Sequence, residues 1–189
     1  MYVTWDKVKI EEFLKDKKER SLDINEYLLL IKFINKIRPD TIIDIGTYLG
    51  ASGYILGTCC DSIKKVYSID NIECPNYCEK DEAKREEHGK YLSPDMIFLK
   101  NGYENNLTNL IKSKNEFVFW DAGKNSEKVL NQIHMSHNLG IKYIALHDVN
   151  VKSVKRVINY IKDLYLYKII EEDIESCPEK GVIIFEIME

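Results

Sequence analysis

Residues 41–57 read TIIDIGTYLGASGYILG. Ile42, Ile43 and Ile45 around Asp44 form an apolar run that predicts a buried strand. Gly46, Gly50 and Gly53 follow at once, and glycine lets a backbone turn tightly and come close to another group. Residues 51–60 then predict a helix that starts at this turn. Strand, glycine turn and helix N-terminus together make a nucleotide-sized cradle, because the first N–H groups of a helix have no partner inside it and point outward.

Upstream of the strand, residues 5–18 and 25–38 predict two amphipathic helices. Pro39 closes the second, since the residue before a proline avoids helical geometry. Downstream, strands and helices alternate. Strands are predicted over 66–69, 96–99, 117–120 and 143–146, and helices over 79–91, 105–111, 126–138 and 151–164. The last strands, 165–170 and 182–187, are joined by too short a segment for a crossover helix and are expected to pair antiparallel. Repeated βα units with apolar strands imply an α/β fold. It is a Rossmann-like, doubly wound, mostly parallel sheet of about seven strands with helices on both faces. The whole chain, 1–189, reads as one domain, with 1–20 as an N-terminal helical extension. That extension is assigned either to covering a pocket or to a dimer contact, so a homo-oligomer is an open expectation.

The bulk numbers fit an ordinary globule. Of 189 residues, 44% are hydrophobic and 31% charged, with a net charge of −4. That charge lacks the basic excess of a nucleic-acid binder. The N-terminus has no signal-peptide layout, and the longest uncharged stretch, 45–60, is too short to span a bilayer. Five cysteines, an odd number without a secretory signal, read as reduced thiols of a cytoplasmic protein. Cys74, Cys78 and His88 lack a fourth spaced ligand for zinc.

Chemically loaded residues fall at the predicted strand ends, where ligands bind in such sheets: Gly46, Asp70, Gly102, Asp121, His147 and Asp148. With these residues in place, DIGTYLGAS, VYSID, FVFWDAGK and ALHDV together resemble the motifs of class I S-adenosylmethionine-dependent methyltransferases. The nearer resemblance is to small-molecule O-methyltransferases of the catechol and caffeoyl-CoA kind and related bacterial families. It spans residues 41–150 and implies O-methylation of a small-molecule hydroxyl. The implied cofactor site comprises Asp44, Gly46, Thr47, Gly50, Ser52, Asp70, Asn71, Gly102, Tyr103 and Asp121. Asp44 would bond the methionine ammonium and Asp70 the two ribose hydroxyls, while Gly102 and Tyr103 would flank the adenine. In metal-dependent members, acids matching Asp121 and Asp148 bind a divalent cation, often magnesium. The usual Asn after the second acid is replaced by Val149, with Asn150 one place on. Lys124 has the spacing of a catalytic lysine, and His147 is placed to act as a base or to orient the neighbouring acid.

Plainer readings stand beside these. Asp121 would serve as a helix cap, and Asn150 as the N-cap of the helix that begins near Val151. A dinucleotide-binding oxidoreductase is the competing enzyme class, but Tyr48 fills the third glycine position of that fingerprint. A methyltransferase fold that binds without catalysing is the other alternative.

Overall fold

The computed structural model describes residues 2–15, 22–70, 91–99, 103–111, 115–123, 125–164, 166–173 and 180–188. The helix expected over 79–91 lies outside these residues apart from Tyr91, which is in a turn. Asn71, Gly102, Lys124, Cys74, Cys78 and His88 also lie outside them, as does the side chain of Tyr103.

Seven strands form one sheet in the order β3-β2-β1-β4-β5-β7-β6. They are β1 (Thr41–Ile45), β2 (Lys65–Ile69), β3 (Ile97–Leu99), β4 (Glu116–Trp120), β5 (Tyr143–His147), β6 (Tyr167–Asp173) and β7 (Val182–Ile187). The first five are mutually parallel. β7 runs antiparallel to β5 and to β6. The described helices are α1 (Lys7–Lys15), α2 (Ile24–Ile37), α3 (Ala51–Thr58), α4 (Tyr103–Leu110), α5 (Ser126–Asn138) and α6 (Lys152–Lys162).

Every residue of β1 and β4 is buried, as expected of strands covered on both faces. Alternation along each strand sorts the core into two layers. Ile43, Val118, Ile144 and Leu146 pack with Val129 and Ile133 of α5 and Val154 and Ile158 of α6. Ile42, Phe117, Phe119 and Ala145 pack with Leu30 and Ile34 of α2 and Ile55 of α3. The doubly wound reading is therefore correct. The N-terminal extension lies on α3: Phe13 stacks on Tyr54 with ring centroids 5.1 Å apart. Trp5 Nε1 donates to Thr58 Oγ1 at 3.0 Å.

Some boundaries differ from expectation. β6 starts later and runs to Asp173, and β5 takes in His147 as its last residue. α6 begins at Lys152, and Val151 is its N-cap, without a side-chain cap bond. Asn150 is not the cap, because the first helical bond, from the Lys155 N–H, goes to Val151 O; the N–H groups of Asn150 and Val149 bond Lys180 O and Gly181 O at the start of β7. Nor does Asp121 cap a helix. Asn125 caps α5 by accepting from the Glu127 N–H at 2.8 Å, which leaves Asp121 to the site. Cys59 and Cys60 are buried free thiols, and burial pushes Cys59 up to about 12.

Candidate functional site

The sheet order reverses between β1 and β4, and in open sheets of this kind ligands bind at that point, outside the carboxyl ends of the strands. The turn after β1 is fixed by its neighbours: Gly46 N–H donates to Ile69 O and Asp121 N–H to Ile45 O, both at 2.8 Å. Gly46 has φ +91°, and a Cβ on it would lie 2.5 Å from the backbone oxygen of Asp121. Glycine is needed there so that the ends of β1 and β4 can touch. Gly46→Ala should destabilise the fold by about 2–4 kcal/mol, from left-handed strain plus displaced backbone. Thermal unfolding checks this, and an unchanged midpoint would refute it.

Gly50 also has positive φ, at +94°, but its missing Cβ makes room for Leu92, whose Cγ would stand 2.7 Å away. That flank of the turn is lined by the chain itself. Another edge of the turn is marked by half-buried Tyr48 and by Asp70, which is 8% exposed. There Tyr48, with φ +47°, donates its N–H to Asp70 Oδ2 at 2.8 Å. The acid ending β2 and the glycine turn ending β1 are therefore one unit.

Asp44 is fully buried beneath the turn and accepts from Ser52 Oγ at 2.9 Å through Oδ2. Its Oδ1 and the Thr47 hydroxyl are buried without an aligned hydrogen-bond partner. Burial pushes the Asp44 carboxyl up to about 7; the Thr47 and Ser52 hydroxyls restrain the rise, and the charges of Asp121 and Asp70 add to it. Three carboxylates that feel one another make a site suited to a cationic ligand.

The second half of the site lies at the ends of β4 and β5. Asp121 Oδ1 is 2.7 Å from His147 Nδ1, and Asp148 Oδ2 is 3.9 Å from the same nitrogen. On the other side of the ring, Glu26 Oε2 stands 3.3 Å from Nε2, an ion-pair contact not aligned as a hydrogen bond. Burial opposes charge on His147, but Asp121 and Glu26 outweigh it and push its pKa up to about 10. Asp148 holds a left-handed conformation, φ +58°, the kind of local strain that collects at functional sites. Gln132 on α5 donates to Ala122 O and ties down the loop after Asp121.

Ligand atoms of Asp121, His147 and Asp148 lie within 4.8 Å of one another, the spacing of a metal trio. His147 is not suited to be one of its ligands. A ring whose two nitrogens both face carboxylates holds protons on both, and so has no lone pair for a metal. Asp121 already uses one oxygen on that ring.

Neither Glu26 nor Gln132 was among the residues expected from sequence. For Glu26 a signal was present. It lies four residues before Leu30 and seven before Phe33, on the stripe of α2 that faces the core, and both of those residues are buried.

No family model matches the chain, and no curated protein matches it. Solved structures do. The chain superposes on a methyltransferase of Podospora anserina, PaMTH1, bound to S-adenosylhomocysteine; the TM-score is 0.67 at 14% identity, over 97% of this chain and 88% of that one. It superposes equally on the O-methyltransferase TomG of Streptomyces achromogenes in complex with S-adenosylmethionine, with TM-score 0.67, 14% identity, and 99% and 92% covered. The fold is the class I methyltransferase fold. An O-methyltransferase of Bacillus cereus in complex with S-adenosylhomocysteine matches at TM-score 0.64 and 15% identity, over 98% and 92%. On this methyltransferase fold, the turn at Gly46 and the Asp70 carboxylate stand at the switch point of the sheet.

Proposed function

We propose that this protein is an S-adenosylmethionine-dependent methyltransferase acting on an oxygen of a small molecule. The observation that carries the reading is the bond from the Tyr48 N–H to Asp70. It aims a buried carboxylate from β2 along the turn, where a sugar's adjacent hydroxyls would need acceptors. The amino-acid end of the cofactor has a counterpart too. Gly50 stands at the N-cap of α3 without a side-chain cap bond, and a helix N-terminus suits a carboxylate. Asp44 Oδ1 and Thr47 Oγ1 provide for the ammonium. Gly102 and Tyr103 keep the adenine role that the resemblance implies.

When bound, the cofactor supplies a methyl on a sulfonium, a group that leaves readily. The chain's own contribution is then alignment and exclusion of water. Asp121, fixed by His147 and by the tethered loop after β4, would orient the acceptor hydroxyl. With His147 engaged at both nitrogens, Lys124 is the residue we assign to take the hydroxyl proton. No described helix is long and apolar enough to cross a membrane, and a freely diffusing small acceptor fits that.

Calorimetry separates this from the oxidoreductase reading. S-adenosylhomocysteine should bind with one-to-one stoichiometry, and a reduced nicotinamide dinucleotide should give no saturable heat. The reverse pattern would refute the proposal. Methyl transfer to a panel of phenols then separates an enzyme from a fold that only binds.

A further inference from the structure

Two acids that end adjacent strands and face each other need a cation between them. In this chain one is already built in. His147 sits with its side chain 2% exposed, its Nδ1 on Asp121 and within 3.9 Å of Asp148, and its Nε2 beside Glu26. Phe119 packs at its flank, with ring centroids 6.4 Å apart. A neutral imidazole presents a lone pair at one nitrogen, and that lone pair would face a carboxylate oxygen on either side; only the doubly protonated ring suits both.

We infer that His147, held by Glu26, takes the place of a divalent cation between Asp121 and Asp148, so that the site works without a metal and Glu26 is a positioning residue within it. This deepens the methyltransferase reading and takes its functional meaning from it. Glu26 comes from α2, far from the strand ends in sequence. It reaches the site because it does two jobs with one oxygen. Glu26 Oε2 accepts from the Asp23 N–H at 2.6 Å, closing the capping box of α2, and the same oxygen faces His147. The cap fixes the Glu26 side chain, and Glu26 in turn keeps the ring from swinging. Among the described residues, these groups from β4, β5 and α2 are the titratable ones within reach of the ring.

The double role supplies a clean test, because glutamine closes a capping box as well as glutamate does. Glu26→Gln therefore keeps the helix start and removes only the charge opposite Nε2. Asp23→Ala does the converse. Imidazole nitrogen NMR on the full-length protein should show His147 protonated at both nitrogens at mildly alkaline pH. In E26Q its titration should fall by at least about one pH unit, a tenfold change in acid constant, for loss of an adjacent carboxylate. In D23A it should not. Mn2+ added to the wild type should give no saturable binding, and methyl transfer should survive a chelator.

Stoichiometric Mn2+ binding that strips the proton from Nδ1 would overturn the inference. So would E26Q leaving the ring unchanged, or D23A shifting it as far as E26Q does. Failure to bind S-adenosylhomocysteine would count against the proposed function alone, since the ring and metal readouts need no cofactor.

Discussion

Asp70→Ala should lose S-adenosylhomocysteine binding by about a hundredfold or more in calorimetry, the largest single-residue effect expected on affinity. Hydrogen bonds to a charged acceptor contribute about 1.5–3 kcal/mol each. Two sugar hydroxyls on one carboxylate would then account for about 3–6 kcal/mol, or two to four orders of magnitude in affinity. Alanine also removes the acceptor for the Tyr48 N–H and loosens a turn already held in left-handed geometry. Asp70→Asn tells these contributions apart. Its amide oxygen still accepts from Tyr48, so the turn survives, while the charge and half the acceptor capacity are gone. Asn should therefore fall between wild type and Ala. If Asp70→Ala binds as tightly as wild type, the map of the site is wrong, whatever the fold.

How much of this could be read from the chain is a question of range. Residues 41–57 carried their own evidence: an apolar run with no polar face means a strand covered on both sides, and the glycines mark where chain meets chain. β1 and α3 accordingly lie close to the expected bounds. The placement of Asp70, Asp121 and Asp148 at strand ends was legible for the same local reason. What the chain did not reveal depends on contacts between distant elements. Gly50 makes room for Leu92, which no local pattern links to it. Read locally, His147 suits a base or a group that orients the neighbouring acid, because its partners lie 26 residues away in the loop after β4 and, through Glu26, on a helix 121 residues upstream. The Asp23–Glu26 capping box is local, but its second use needs the partner ring. Asn150 was the better cap by residue type, but the first helical bond, from the Lys155 N–H, goes to Val151 O.

Asp44 gives the second large prediction, and its sign can be worked out. In the free protein, burial holds the carboxyl up to about 7, against an ordinary value of 3.8. The folded form therefore keeps a proton that the unfolded chain gives up. Stability attributable to Asp44 is complete below about pH 4 and declines as pH rises through about 7, by about 4 kcal/mol in all. Asp44→Asn cannot ionise and should remove that decline. The variant should be more stable than wild type on the alkaline side and no more stable in acid, a crossing that denaturant titrations at several pH values would reveal.

Cofactor binding runs the other way. The ammonium and sulfonium bring positive charge to the turn, which favours the ionised carboxylate. Binding should release a fraction of a proton near neutrality, and affinity should weaken as pH drops below 7, by up to about tenfold per unit. Asp44→Asn should bind more weakly at pH 8 and show no such step. One residue then costs stability in the empty protein and improves affinity in the filled one, the trade expected of a charge placed for a ligand rather than for the fold. If Asp44→Asn keeps the wild-type pH profile for both stability and binding, the buried acid is structural and the ammonium is held elsewhere.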